Sequence, residues 1–378
     1  MPTAIVDLTR LKKLHCGLGQ FALHLGHTIQ SLSTPELQTT FLVPRRARAL
    51  LEEPGRDSRV YPAGWWQREF SRRSLPGSVQ NLLGYPQGDL WHTIDHLSTY
   101  GPRDSETPVI LTIHDLNFPA ERTPEQNRRS LDMLQRRIDR ATLLTTGSHF
   151  AADQIRANLD VGDKDLRVIY HGLCVRPERS VPAPSFAPAN PFLFSIGEFR
   201  PYKNFHTLPG LLRALPGDRQ LVIAGNNATP YAEKVREEIV RWGLEERVIL
   251  PGVVSDDERH WLYEHCDAFV FPSLAEGFGL PAIEAMSFGK LAFLAHATSL
   301  PEVGGPLACY WHDYAPEAMR EVFERGMEAF MGNPEAASQL RAHAAQFTWT
   351  AAAGCYRALY GEVLSGRPLG RDACSAAA

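Results

Sequence analysis

The chain has 378 residues, is 44% hydrophobic and 22% charged, and carries a formal net charge of −4. That length suggests two or three domains, and that charge gives no reason to expect a nucleic-acid partner. The six cysteines (Cys16, Cys174, Cys266, Cys309, Cys355 and Cys374) are scattered without a C-x-x-C pair, which argues against a structural zinc site and a disulfide framework. The opening MPTAIVDLTRLKK lacks the apolar core of a signal peptide. No stretch approaches the ~18 consecutive apolar residues of a membrane span, so a reduced, cytosolic protein is expected.

In chain order, short apolar runs alternate with helical patterns. The first half offers strand candidates at AIVDL, TTFLV, PVILTIH, TLLTT and LRVIYHG, and its clearest helix at Glu125 to Arg140. A proline-rich stretch from Pro177 to Pro191 carries neither period and reads as a stiff linker. The second half offers strands at PFLFSIG, QLVIAG, RVILPG, DAFVFP and LAFLA, with helices such as YAEKVREEIVRWG and DDERHWLYEHC between them. Alternation of this kind, with near-continuous apolar strands, implies an α/β protein of parallel sheets covered on both faces. The expected organisation is a Rossmann-like domain over residues 1–180, a linker over 181–191 and a second Rossmann-like domain over 192–345. Ligands of such sheets bind at the carboxyl ends of the strands, and the cleft between two such domains is the natural site.

The chemistry concentrates at three strand ends of the second half. AEGFGLPAIEA, Ala275 to Ala285, follows the strand DAFVFP and sets Glu276 and Glu284 on either side of a glycine-rich turn. Pro281 suits the first position of a helix and Gly289 its stop. A helix start presents unused N–H groups and a positive dipole end, which hold phosphate, and Gly277 and Gly279 allow close approach to the backbone. Glu276 is expected on the loop and Glu284 in the first helical turn. Carboxylates there suit neutral hydroxyls of a sugar and a ribose, although a dipole-stabilising Glu284 and a solvated Glu276 would also fit the pattern. SIGEFRPYKNF supplies Gly197 for a turn, Lys203 as a point charge for a diphosphate and Arg200 as a planar fork for the same groups. PGVVSDDE supplies Gly252 and Val253, against which a flat base could lie.

The order of these stretches resembles a retaining glycosyltransferase of the GT-B fold, glycosyltransferase family 4. GEFRPYKN, GVVSDDE, FPSLAEGFGLPAIEAMSFGK and SLPEVGG carry the resemblance in the second half, and CGLGQF, WHTIDH and TIHDLNF carry it more weakly in the first. It implies two Rossmann-like domains facing each other across a deep cleft. FTWTAAAGCYRALYGEVL is similar to the family's last helix, which implies a helix over 346–365 crossing back to the first domain, with a tail over 366–378. It implies a nucleotide-diphosphate sugar donor, GDP- or UDP-linked with mannose favoured, and no cofactor or metal. Glu284 would hold the ribose hydroxyls and Glu276 the transferred sugar. Gly277, Phe278, Gly279 and Leu280 would face sugar and diphosphate, and Lys203 would neutralise the departing diphosphate. Gly17 and Gly19 would form a loop near the diphosphate, and His114 would sit beside the sugar. Where many relatives carry arginine after the glycine that Gly197 matches, this chain has Glu198, and Arg200 is the substitute. The acceptor would be a glycan or lipid-linked glycan of cell-surface polysaccharide or lipopolysaccharide synthesis.

CGLGQF is not G-x-G-x-x-G and no acidic residue ends the next strand, which disfavours a dehydrogenase. A sugar-nucleotide epimerase of the same fold would need a second acid–base carboxylate pair, and a non-catalytic nucleotide-sugar-binding protein remains open. His92 and His96 have metal-ligand spacing but lack a third-ligand pattern. His92 lines the acceptor side, with Asp115, or is a satisfied structural residue, and His114 could instead cap the next loop. Residues 1–185 hold 23 Lys and Arg against 20 Asp and Glu, a balance of +3, leaving 16 against 23, or −7, for the rest. The excess gathers between Arg45 and Ser74, where Trp65, Trp66 and Phe70 interleave with Arg68, Arg72 and Arg73. Arginine beside tryptophan suits an anionic interface, so this segment is expected to edge the acceptor site and rest on the inner face of a membrane. A helix with core-facing aromatics and solvated arginines is the alternative.

Overall fold

The computed structural model describes residues 1–14, 17–32, 34–52, 59–63, 86–102, 104–116, 123–174 and 179–367. It divides into two compact units. The first comprises Met1–Cys174 with Phe347–Ala378, and the second Val175–Gln346. The boundary falls just before the proline-rich stretch, which therefore belongs to the second unit.

The first unit is built on a seven-stranded sheet: β1 (Thr3–Asp7), β2 (Gln38–Pro44), β3 (Arg59–Ala63), β4 (Leu90–Thr93), β5 (Val109–Thr112), β6 (Leu143–Thr146) and β7 (Leu166–Val168). Their spatial order is β3-β2-β1-β4-β5-β6-β7, and every pairing is parallel. Two of the helices that pack with it start on a side-chain cap. α1 is Gly17–Ser31. α2, Pro124–Arg140, starts on Thr123 with a reciprocal capping box to Gln126. α3, His149–Asn158, starts on Ser148.

The second unit holds a six-stranded parallel sheet of β8 (Phe192–Ile196), β9 (Gln220–Ala224), β10 (Val248–Gly252), β11 (Ala268–Phe271), β12 (Ala292–Ala295) and β13 (Cys309–Trp311). Its order, β10-β9-β8-β11-β12-β13, is that of a Rossmann sheet. The chain order reverses between β8 and β11, and such a switch point is where α/β sheets bind ligands. The helices are α4 (Leu208–Ala214), α5 (Pro230–Arg241), α6 (Asp256–His265), α7 (Leu280–Ser287), α8 (Leu300–Gly304), α9 (Pro316–Gly332) and α10 (Ala336–Ala344).

The last helix, α11 (Trp349–Ser365), returns to the first unit. Its Trp349, Ala352, Ala353, Tyr356, Leu359 and Tyr360 join the core formed by Ala4, Val6, Phe21, Leu25 and Phe41. Leu173 donates to the Phe347 carbonyl (2.9 Å) where the chain re-enters.

Three strands lie outside the sequence candidates. β3 and β13 are sheet edges, one containing Pro62, a residue edge strands tolerate, the other only three residues long. β4, LWHT, hides its histidine in the core. His92 is fully buried. Its Nδ1 meets the Tyr360 hydroxyl (2.7 Å) and its Nε2 the Thr112 hydroxyl (2.9 Å). Burial and the neighbouring His114 push its pKa down to about 3. With both nitrogens engaged and no exposure, His92 is a satisfied core residue and does not line an acceptor site. Tyr360→Phe should leave that buried imidazole one partner short, costing about 1–3 kcal/mol. Urea unfolding that matches the wild type would show that the hydrogen bond does not help hold α11.

Candidate functional site

The second sheet delivers Lys203 and Glu276 from opposite sides of its switch point. β8 ends at Ile196, and Gly197 N donates to the Ala224 carbonyl (2.9 Å). The chain then makes a short 3-10 turn, Pro201–Lys203, followed by Asn204 in the left-handed region (φ 58°) and a second turn, Phe205–Thr207. Asparagine tolerates that conformation better than most side chains. Behind the turns, the Tyr231 hydroxyl meets His206 Nδ1 at 2.8 Å, and the Thr229 hydroxyl donates to the Phe199 carbonyl (2.7 Å).

From β11 the chain enters the loop Pro272–Gly279. Leu274 N donates to the Tyr202 carbonyl (2.7 Å), tying this loop to the lysine turn. The segment after β12 clamps it from the other side. Glu276 N donates to Thr298 Oγ1 (3.1 Å). The buried Ser299 hydroxyl shares its proton between the Glu276 and Phe278 carbonyls, both at 2.9 Å. Thr298 takes φ 53° to do this, a strained conformation for a β-branched residue. Gly279 closes the loop at φ 106°, where a Cβ would come within 2.7 Å of Leu300 Cδ2, and α7 begins at Leu280.

Lys203 Nζ and Glu276 Oε1 form an ion pair with both side chains largely buried. The ammonium also stands 4.9 Å from the Phe271 ring centroid. The sequence places these residues 73 apart, and the fold makes them direct partners. Glu284 lies one residue deeper in the helix than the sequence suggests, as the fifth residue of α7, because the helix starts at Leu280 rather than Pro281. Its Oε2 accepts from the Tyr263 hydroxyl (2.9 Å), and Arg259 Nη1 stands 4.0 Å from its Oε1. Burial, then the Glu284 charge, holds the Tyr263 phenol well above its ordinary pKa. Tyr263 and Arg259 are functional candidates that sequence reading missed. Their spacing of four in α6 was visible, but nothing in the sequence shows that the shared face opposes Glu284.

Of the remaining candidates here, Arg200 pairs with Glu198 (3.0 Å) at the half-exposed entrance to the lysine turn. The departure at Glu198 thus gives Arg200 an acidic neighbour. Gly252 ends β10, and its carbonyl accepts from Gly225 N (2.7 Å). Val253 beside it is 61% exposed, an apolar side chain held open at a strand end. Gly277 lies within the clamped loop, and Phe278 is buried.

In the first unit, His114 follows β5 and is buried. Its Nε2 is 2.8 Å from the Ile94 carbonyl, while its Nδ1 has no hydrogen-bond partner among the described residues. Burial pushes its pKa down against the opposing pull of Asp95 and Asp115, so the ring is neutral. Asp115, half-buried, follows it. Close by, Asp95 is paired with Arg10. Burial raises that carboxyl, but the Arg10 hydrogen bond and the charges of His96 and Arg10 outweigh it and hold the pKa down. Gly17 and Gly19 do not form a loop: they open α1, and a Cβ at Gly19 would come within 1.9 Å of the Lys13 carbonyl. Trp65, Trp66, Arg68, Phe70, Arg72 and Arg73 lie outside the described residues. Among the described residues, no group of three or more His, Cys, Asp or Glu is placed to hold a metal ion, and no helix is long and apolar enough to cross a membrane.

Lys203, Glu276, Glu284 and the start of α7 all follow β8 or β11, the two strands that flank the switch point, and two Rossmann-like sheets in one chain are the GT-B fold. Over residues 179–347 the chain matches the family model described as Glycosyl transferases group 1. It is 34% identical over 169 residues to the serotype-specific mannosyltransferase WbdA of Escherichia coli, covering 42% of this chain and 20% of that one. It is 30% identical over 190 residues to the GDP-mannose:cellobiosyl-diphosphopolyprenol alpha-mannosyltransferase of Komagataeibacter xylinus, covering 48% and 47%. The match thus spans about a fifth of the first relative's length and about half of the second's. Among solved structures, HepE of Anabaena in complex with UDP-glucose aligns over 97% of this chain and 100% of its own, with a TM-score of 0.68 and 17% identity; that likeness is one of fold.

The clamp on the loop makes a direct test. Ser299→Ala removes the donor to two carbonyls in a buried position and should cost about 1–3 kcal/mol. Urea unfolding should show the loss, and hydrogen exchange at residues 276–279 should rise. Unchanged exchange there would show that the loop is held without Ser299.

Proposed function

We propose that this protein is a retaining glycosyltransferase that moves mannose from GDP-mannose to a glycan or lipid-linked glycan in cell-surface polysaccharide or lipopolysaccharide synthesis. The observation that carries the reading is the Lys203–Glu276 pair at the switch point, with Glu284 fixed on the helix that follows. The mannosyltransferase relatives support the sugar, and the second of them supports the GDP donor and a polyprenol-linked acceptor. The absence of a transmembrane helix among the described residues is compatible with work on the cytoplasmic side, with lipid-linked acceptor reached from an anionic membrane surface. Arg45, Arg46 and Arg48 are exposed on that unit.

Breaking the bond between a sugar and a nucleotide diphosphate leaves charge on the diphosphate. Lys203 and the N–H groups at the start of α7 are assigned to meet it, and positive groups and donors aimed where that charge develops stabilise the transition state more than the ground state. Glu276 accepts hydrogen bonds from hydroxyls of the transferred sugar, and Glu284 from those of the ribose. His114, neutral and with Nδ1 unengaged, is assigned to the transferred sugar. No side chain is assigned as nucleophile, since retention is read as attack on the face the diphosphate leaves.

Two experiments test the reading. Glu284→Ala should raise the donor KM with little change in kcat, because its contacts exist in ground and transition states alike, whereas Glu276→Ala should lower kcat by more than tenfold. Wild-type transfer rates in both variants would refute the site. The second experiment is chelation. Lys203 and the helix start take the role of a cation, so transfer of mannose should survive excess EDTA. Activity lost in chelator and restored by magnesium or manganese would contradict this, and UDP-hexoses assayed in parallel decide the donor base.

A further inference from the structure

Glu284 is held by two residues of α6 that the reading above does not use. α6 starts on Ser255, which forms a reciprocal capping box with Glu258. Arg259 and Tyr263 follow four residues apart and so share one face of the helix. They address different oxygens of the same carboxylate: the Tyr263 hydroxyl donates to Oε2 at 2.9 Å, and Arg259 Nη1 stands 4.0 Å from Oε1.

Tyr263 cannot swing away. It is 1% exposed. Its ring lies edge-on to Phe194 of β8 (5.0 Å between centroids) and stacks on Phe288, just after α7 (5.7 Å, 15° between planes). The hydroxyl is also 3.3 Å from the Pro281 carbonyl in the first turn of α7. Strand, helix and phenol therefore fix the carboxylate together. Arg259 is less confined, with a side chain 30% exposed and a second partner in Asp256 at 3.3 Å.

A carboxylate has about four acceptor positions. One is taken by a buried donor that no ligand can displace, and the Arg259 guanidinium stands 4.0 Å from the other oxygen. The remaining positions have a set direction. A carboxylate held in one orientation selects for two hydroxyls at the spacing of a ribose, where a freely rotating one would accept any single donor.

We propose that Tyr263 and Arg259 are positioning residues that orient Glu284, and that through it they make the site select ribonucleoside over 2′-deoxyribonucleoside diphosphates. This rests on the reading of Glu284 as the ribose ligand. Charge-assisted hydrogen bonds are the stronger kind, and one held in register by a second buried bond is sensitive to a small rotation of the acceptor.

The test is calorimetric titration of the full chain with GDP, UDP and the 2′-deoxy form of whichever binds. Wild type should prefer the ribonucleotide by about tenfold or more. Tyr263→Phe keeps the ring and its stacking but removes the donor. It should weaken the ribonucleotide by roughly fivefold to tenfold and leave the deoxynucleotide unchanged, so that the preference collapses. A merely structural role would weaken both ligands alike, and that result, or a preserved ratio, overturns the inference while leaving the ribose assignment standing. Wild type that binds no ribonucleoside diphosphate, or binds both sugars equally, overturns the assignment and the inference together. Should Tyr263→Phe not fold, Arg259→Gln on the partly exposed side decides. A ratio reduced about twofold to threefold supports the inference, and an unchanged ratio overturns it.

Discussion

The site depends on the ion pair between Lys203 and Glu276. Each side chain is only about a tenth exposed, and a largely buried charge without its partner is strongly unfavourable. Each residue is therefore the condition for the other, and the fold gives each a separate support. The lysine turn is braced by Asn204 in a left-handed conformation and by the Tyr231 hydroxyl against His206. The glutamate loop is braced by Thr298 and Ser299. The two supports are joined by the hydrogen bond from Leu274 to Tyr202. Backbone strain at Thr298 is the kind of local cost that persists only where surrounding structure over-determines it. Here it places the hydroxyl that accepts the Glu276 N–H.

Much of this was legible in the sequence because the physics was local. Near-continuous apolar runs such as AFVF and LVIA are buried on both faces of a parallel sheet, and no other arrangement satisfies them. The loop from Pro272 to Gly279 was legible for the same reason: glycines at a strand end, then proline at a helix start, have few alternatives. What could not be read was long-range. Nothing near Lys203 names Glu276 as its partner, and nothing near Glu284 names Tyr263. His92 shows the same limit from the other direction. The sequence left it either lining the acceptor side or satisfied in the structure, and the two partners that decide for the second lie 20 and 268 residues away. The family resemblance implied a loop at Gly17 and Gly19, and these residues instead open α1. In the fold Gly19 is small because the Lys13 carbonyl occupies the space a side chain would need.

The first unit puts its titratable groups to a different use. Burial holds His92, His114 and His171 below their ordinary pKa, so all three are neutral in the folded chain. An unfolded chain binds protons at these rings as the pH falls through about 6.5, and the folded chain does so only at lower pH. Their contribution to stability is therefore full above that pH and is lost on the acid side of it. The buried carboxyl of Asp7, raised mainly by burial, works in the opposite sense and offsets part of the loss. A neutral histidine at position 114 is also the form that can accept or donate a hydrogen bond at Nδ1 without carrying a charge.

The two carboxylates of the second unit are held in different ways, and the difference fits the different tasks proposed for them. Glu276 sits on a loop and is paired with a lysine, whose four-carbon stem lets its charge follow another anion over several ångströms. Glu284 sits on a helix and is held by a phenol locked between a strand and a stacked phenylalanine. A group that must exchange a lysine for sugar hydroxyls while charge builds on a neighbouring diphosphate gains from a movable partner. A group that measures the spacing of two ribose hydroxyls gains from an immovable one. The same stretch of sequence supplies both because it crosses from loop to helix between them, and the seven residues that separate them contain that transition.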